Sequence, residues 1–322
     1  MRQELSDLRI VFFGTPSFAA TILDFLISKN ANIVAVVTKP DKPYKRSSAL
    51  KAPPVKELIL QKAPEIPLFQ PLKAGSEDFA TTLKSFDADF FCVAAYSEIF
   101  KDNLLQMPRI ACLNVHASIL PKYRGAAPIA RAIMAGEKES GVTIISMARQ
   151  LDAGGMLKIS KTPISDEMTA GELMEKLAEL GSLALWEVIC AYARGEVQLL
   201  EQNSLEANYA SKLTDEDGLI HWENEALSLH NQIRGVTPNP GAWVYLLHKG
   251  VKKRVRIGRA KIEKGVQGDP GSILSSSGDS LIIACGKEGL SLLEVQLEGK
   301  KMMPIADFLR GISKKDLTFS DI

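Results

Sequence analysis

Leu113-Asn114-Val115-His116-Ala117-Ser118-Ile119-Leu120-Pro121, continued by Lys122-Tyr123-Arg124-Gly125-Ala126-Ala127-Pro128, is the stretch on which the reading of this chain turns. It begins inside an apolar run, Ile110, Ala111, Cys112, Leu113 and Val115, of the kind that forms a strand covered on both faces in a parallel sheet. Asn114 and His116 interrupt the run at its end, and the two-residue period of a strand puts both side chains on one face. The carboxyl end of a buried strand is where open α/β sheets hold ligands. Ser118, Pro121, Gly125 and Pro128 then predict a structured loop. Asn114 can donate two N–H bonds, and His116 can take or give a proton near neutral pH. Together they could stabilise an oxyanion and move a proton, which is what acyl transfer requires. The plainer alternative is that both side chains bond to loop backbone, the commoner fate of such a pair.

Working outward, the chain has 322 residues, 46% of them hydrophobic, enough for two domains. A net charge of +1 gives no global bias toward nucleic acid, so any basic surface has to be local. Cys92, Cys112, Cys190 and Cys285 are scattered in apolar contexts with no paired spacing, which predicts buried, reduced thiols in a cytoplasmic protein and no metal site. No apolar run reaches membrane-span length, and the N-terminus lacks a basic-then-apolar leader. A monomer with no membrane attachment is expected.

Toward the N-terminus, Leu8 to Phe13 predicts a buried strand closed by Gly14-Thr15-Pro16, with Thr15 as helix N-cap and Pro16 at the first helical position. Phe18, Ile22, Phe25 and Leu26 fall on one face of the helix that follows. Ile33 to Val37 is the next strand, so the chain opens as a doubly wound α/β domain. Its first turn holds a single glycine, and the three-glycine dinucleotide fingerprint is missing, which argues against a nicotinamide cofactor. Between Lys39 and Lys56 the basic residues Lys42, Lys45, Arg46 and Lys51 accompany one acid, Asp41, and several prolines. That is longer than a usual βα connection: either a solvated surface loop or a phosphate-contacting arm.

Toward the C-terminus, Phe90 to Ala95 predicts a strand ending at Tyr96-Ser97, Ala127 to Met134 a helix, and Val142 to Met147 another strand. Asp152 follows in the turn Gln150-Leu151-Asp152-Ala153-Gly154-Gly155-Met156, where glycines let backbone approach a ligand closely. On its own it would most often be a turn-forming aspartate. Gly171 to Arg194 predicts a long amphipathic helix with a core-facing stripe. Beyond a linker at 204–208, short apolar runs separated by Gly, Ser and Asp predict a small β-barrel of the oligonucleotide-binding type. If Val251 to Ile257 is a strand, Lys252, Arg254 and Arg256 share one face while Val251, Val255 and Ile257 share the other. That face is either merely solvated or a phosphate-tracking surface, and the barrel context favours the second. His221, His230 and His248 have no ligand spacing and read as structural.

Two stretches carry a resemblance: Asn114-Val115-His116 with Ser118-Ile119-Leu120-Pro121 and Tyr123-Arg124-Gly125-Ala126-Ala127-Pro128, and Leu151-Asp152-Ala153-Gly154. They are similar to the two signatures of the folate-dependent formyltransferases. Tyr209-Ala210-Ser211-Lys212-Leu213, Ile220-His221-Trp222 and Arg234 to Trp243 resemble the C-terminal domain of the tRNA-acting branch. The resemblance implies a Rossmann-like formyltransferase domain at 1–203, the linker at 204–208 and an OB-like tRNA-binding barrel at 209–322. It implies 10-formyltetrahydrofolate as formyl donor, methionyl initiator tRNA as acceptor, and no metal. Asn114, His116 and Asp152 match the catalytic residues. Ser118, Ile119, Leu120 and Pro121 match the folate wall, bordered by the Tyr96 loop. Arg46, with Lys45 and Lys42, matches a basic insertion that touches the acceptor end of tRNA, and Lys252, Arg254 and Arg256 would meet phosphates. Four positions depart from the family: Lys45 and Ser47 replace glycines around Arg46, Ser97 replaces a glycine, and Gly155 stands where tRNA-acting members usually carry a second acid. A sugar-amine N-formyltransferase is the nearest competing reading. A nonenzymatic folate or RNA binder is the other, and the presence of all three polar site residues argues against it.

Overall fold

The computed structural model describes residues 4–43, 50–248, 251–276, 279–311 and 317–320. The chain divides into two compact units, the first made of Met1–Pro128, Glu139–Thr162 and Met174–Ala210, the second of Ile129–Lys138, Pro163–Leu173 and Ser211–Ile322.

The first unit is built on one mixed sheet. Its strands are β1 (Ile10–Gly14), β2 (Ile33–Val37), β3 (Leu68–Phe69), β4 (Phe90–Ala94), β5 (Ala111–His116), β6 (Glu139–Ser146) and β7 (Met156–Pro163), in the order β7-β6-β5-β4-β1-β2-β3. From β3 to β5 every pairing is parallel, and β6 runs antiparallel to β5. The chain winds outward from β1 in one direction and from β4 in the other, so the carboxyl ends of β1 and β4 form the switch point of a doubly wound fold. Phe12, Phe13, Phe90 and Phe91 are fully buried because both faces of these strands are covered. Burying each such side chain contributes about 1.5–3 kcal/mol. Phe13 sits among aromatic rings, with centroids 5.1 Å from Phe91, 5.5 Å from Tyr96 and 5.0 Å from Phe100.

Local details refine the expectations. Helix α1 (Ser17–Ser28) starts after Pro16, and Thr15 does not cap it; its hydroxyl instead accepts the Lys39 N–H at 3.4 Å. The buried face of α1 is Phe18, Ala19, Ile22, Leu23 and Leu26, with Phe25 half-buried at its edge. The long helix α2 (Ala170–Arg194) begins with a reciprocal cap that the T-x-x-E spacing spells out. The Glu172 carboxylate accepts both the Thr169 N–H and hydroxyl at 2.8 Å, and the Thr169 hydroxyl accepts the Glu172 N–H at 3.3 Å.

The second unit carries helix α3 (Ala226–Val236) and an antiparallel sheet of β8 (Ala242–His248), β9 (Val251–Glu263), β10 (Ile273–Ser275), β11 (Ile282–Ala284), β12 (Gly289–Leu297), β13 (Met303–Pro304) and β14 (Leu317–Ser320). The order is β10-β11-β12-β9-β8-β14, with β13 paired to β12. Gly271, just ahead of β10, comes beside Phe319 in β14, so the sheet nearly closes into the expected barrel. Val244, Leu246, Val255, Ile257, Leu290 and Leu292 fill its interior together with Ile220, Trp222 and Leu229. Among the described residues no helix is long and apolar enough to cross a membrane, and no cluster of His, Cys, Asp or Glu could hold a metal ion.

Candidate active site

β5 ends as its sequence dictates. Apolar Leu113 and Val115 are buried, while Asn114 and His116 project together from the other face. The turn between β6 and β7 brings Asp152 to them, with its backbone in the left-handed region at φ 50°. Gly154 makes that turn possible: a Cβ there would lie 1.8 Å from the Ser146 carbonyl oxygen. The Asp152 carboxylate bridges the pair, with Oδ1 at 3.5 Å from Asn114 Nδ2 and Oδ2 at 3.5 Å from His116 Nδ1. Oδ2 also accepts the Gly125 N–H at 2.8 Å, which fixes the carboxylate. Contacts of 3.5 Å are long for hydrogen bonds, and catalytic contacts of that length tighten when substrate closes a site. On the far side of the ring, His116 Nε2 meets the Tyr123 carbonyl oxygen at 2.9 Å. Both ring nitrogens thus face acceptors, and the imidazolium form, a donor at both, satisfies them together. The His116 side chain is 5% exposed and that of Asp152 11%, so charge here is poorly screened by water.

Sequence reasoning missed two residues of this site. The Gln202 amide donates to the carbonyl oxygens of Asp152 at 2.7 Å and Gly154 at 2.8 Å, and accepts from the buried Arg124 guanidinium at 2.7 and 3.1 Å. Asn208 holds the backbone of Tyr123 and Arg124. Neither could be found from periodicity or motif, because their partners are remote in sequence. Gly155 also finds its reason here. Leu199 lies 2.4 Å from where a Cβ would stand, so its side chain fills the space another residue would need.

The Ser118 to Pro121 loop is tightly built. The Ser118 hydroxyl donates to the Lys122 carbonyl at 2.7 Å, and the Thr143 hydroxyl donates to the Ser118 carbonyl at 2.7 Å and accepts the Leu120 N–H at 3.1 Å. The Leu120 side chain is buried with Ile145 and Met156, while Ile119 and Pro121 are partly exposed. Tyr96 is buried beyond the end of β4, with Lys39 Nζ 4.4 Å from its ring centroid and its hydroxyl without a hydrogen-bond partner among the described residues. Burial first, and the Glu98 carboxylate second, push its phenol up. Burial likewise raises the thiols of Cys92 and Cys112, and that of Cys285 to about 11.

Of the basic arm, Lys45 and Arg46 lie outside the described residues. Lys42 is exposed and pairs antiparallel with Lys51. Lys56 is tied down, with Nζ 2.8 Å from Asp41 and 2.9 Å from Gln70. Gln70 in turn donates to Asp41 at 2.7 Å and to the Lys39 carbonyl at 2.9 Å. On β9 the basic and apolar faces divide as expected, except that Val251, at the strand's first position, is exposed. Lys252 Nζ lies 4.0 Å from the Tyr245 ring centroid, and the Arg254 guanidinium 3.8 Å from that of Trp243. Arg254 also grips Asp215 with both terminal nitrogens, at 2.7 and 2.9 Å, while Arg256 donates to the Pro240 carbonyl at 2.5 Å.

Residues 8–189 match the family described as "Formyl transferase", and residues 212–313 the family described as "Formyl transferase, C-terminal domain". A methionyl-tRNA formyltransferase from Protochlamydia amoebophila is 47% identical over 312 residues, spanning 97% of this chain and 98% of that protein. One from Chlamydia abortus is 44% identical over 317 residues, 98% of each. Among solved structures, the sugar 3N-formyl transferase WlaRD shares the fold at a TM-score of 0.67 and 19% identity, covering 91% of this chain and 99% of that one. HypX from Aquifex aeolicus, solved with tetrahydrofolic acid, aligns at a TM-score of 0.65 and 17% identity over 97% of this chain; the chain spans half the length of HypX.

Proposed function

The chain belongs to the methionyl-tRNA formyltransferase family, and from that premise we infer that it moves a formyl group from 10-formyltetrahydrofolate to the free α-amine of methionyl initiator tRNA. The observation that carries this reading is the meeting of Asn114, His116 and Asp152 from two distant parts of the sequence. The folate donor, when bound, would supply a formyl carbon whose bond to the anilino nitrogen N10 has to break. The unpartnered Tyr96 hydroxyl suits such a ligand, rich in polar ring edges. Ser118, Ile119, Leu120 and Pro121 would wall that ligand.

A free α-amine has a pKa of about 7.7–8.0, so a good share of it is an uncharged nucleophile at neutral pH. As it attacks, Asn114 Nδ2 donates to the carbonyl oxygen while that oxygen gains charge, and the Nδ1–H of His116 turns to it from its long 3.5 Å contact with Asp152, with Nε2 still held by the Tyr123 carbonyl; losing one such donor costs about 2.7–4 kcal/mol. Asp152 orients the His116 ring and accepts the proton shed by the attacking nitrogen, directly or through water, for delivery to the departing nitrogen. One C–N bond forms, one breaks, and one proton crosses between the two nitrogens.

The acceptor would be held by Lys42, Lys45 and Arg46 near its reactive end and by Lys252, Arg254 and Arg256 along its phosphates. In this assignment 1–203 is catalytic, 204–208 links and 209–322 binds tRNA, in a monomer acting in the cytoplasm. Formylation of charged initiator tRNA, run beside a nucleotide-sugar amine, tests the reading. Preference for the sugar amine, or near-normal turnover by His116→Ala, would sink it.

A further inference from the structure

Gln202 and Asn208 are bonded into the candidate active site, and we propose that they belong to it as positioning residues that aim Asp152 and His116. The proposal rests on the catalytic reading of those two side chains. Asn208 acts on the loop at 123–126. Its side-chain oxygen accepts the Tyr123 N–H, and its carbonyl accepts the Arg124 N–H at 3.0 Å. The Ala210 carbonyl then accepts the N–H groups of Ala126 at 2.9 Å and Ala127 at 3.2 Å, and Tyr209–Ala210 runs parallel to Arg124–Gly125. That loop supplies both backbone groups that hold the catalytic pair: the Tyr123 carbonyl on His116 and the Gly125 N–H on Asp152.

Tyr123 is a non-glycine residue at φ 60°. Such a conformation persists only where surrounding contacts over-determine it. Asn208 provides that constraint, clasping Tyr123 and Arg124 through its side chain and its backbone. From the other direction Gln202 spends its whole amide on the site. Its two N–H groups hold the carbonyls of Asp152 and Gly154, and its oxygen takes two bonds from Arg124, which is 1% exposed. A spacer whose task was reach alone has no use for such contacts. Leu205, 96% exposed in the same segment, shows what an unengaged position there looks like.

The test uses the full chain with Asn208→Ala, Asn208→Asp, Gln202→Glu and Leu205→Ala. Asn208→Asp keeps an acceptor for the Tyr123 N–H. Gln202→Glu keeps acceptors for Arg124 and loses both donors to the Asp152 turn. We expect Asn208→Ala and Gln202→Glu to lose about 10- to 10²-fold in kcat with unchanged KM for methionyl-tRNA and for the folate, since small misplacements cost that much. Asn208→Asp should restore kcat, and Leu205→Ala should match the unaltered chain. The His116 ring resonances in NMR spectra should move in Asn208→Ala and return in Asn208→Asp. Undiminished kcat in both disruptive variants, or equal losses for Ala and Asp at 208, overturns the proposal. If the unaltered chain formylates no methionyl-tRNA, the functional reading fails instead. The NMR comparison then still decides this inference, because it needs no turnover.

Discussion

At the scale of single residues, His116 is the point at which the other contacts of the site converge: Asp152 on Nδ1, the Tyr123 carbonyl on Nε2, and Asn114 beside it on β5. On the proposed mechanism three side chains act on one carbonyl, and they should behave as a unit. Asn114→Ala and His116→Ala should each lower kcat by about 10²–10³-fold, the usual cost of one lost oxyanion donor. Asp152→Asn separates shape from charge, because an amide oxygen can still accept the Gly125 N–H while the ionic partner of His116 is gone. The double variant His116→Ala/Asp152→Asn should lose little more than the worse single one, since residues acting together are strongly non-additive. Additive losses in steady-state kinetics would mean that the two do not cooperate. Thermal unfolding should barely change for Asn114→Ala, whose side chain is half-buried and meets Asp152 only at a long 3.5 Å.

At the scale of elements, two polar devices answer to acid. Glu172 closes the cap of α2; the Thr169 N–H foremost, then Arg259 and the Thr169 hydroxyl, hold its carboxyl below the ordinary 4.5. A depressed carboxyl contributes stability that is full above its unfolded value and is lost as pH falls through the lower folded value. Thr169→Ala keeps that N–H but removes both bonds of the hydroxyl, and should cost about 1 kcal/mol at neutral pH, read by denaturant unfolding. The difference should shrink below about pH 4. The Asp41 clasp obeys the same sign. Its hydrogen bonds from Gln70 first and Lys56 second hold Asp41 below 3.8, and a Lys56→Met change should raise its NMR titration midpoint. The reasons these elements could or could not be read from sequence are physical. β2 and β5 were legible because buried parallel strands are continuous apolar runs, and Asn114 and His116 because they break one. Thr169-x-x-Glu172 carried a cap signature that the apolar periodicity of the helix obscured. Gln202 and Asn208 were illegible, since a polar side chain whose partners lie 48 to 85 residues away leaves no periodic trace. Thr15 was misassigned as a cap because cap propensity is a local preference, and here the hydroxyl is turned to Lys39 instead.

At the scale of the whole molecule, a net charge of +1 cannot attract a polyanion from a distance, and at physiological salt charges are screened beyond about 8 Å. Recognition of tRNA must then come from local cations, and those on β9 are held in place rather than loose. Tyr245 carries Lys252 and Trp243 carries Arg254, which limits the side-chain entropy lost on contact with phosphate. Arg254 is also shared with Asp215, whose carboxyl it pulls below the ordinary 3.8, so a phosphate at Arg254 has to compete with that acid. Two substitutions with opposite signs follow. Lys252→Ala should weaken tRNA binding and make it less salt-dependent, by about 0.7–0.9 in the slope of log K against log salt for one lost phosphate contact. Asp215→Asn frees Arg254, and should tighten binding and steepen the same slope. Neither change should alter the KM for the folate. If binding across a salt series gives one slope for the unaltered chain and both variants, the β9 face is only a solvated surface, and the phosphate contacts must be sought elsewhere on the chain.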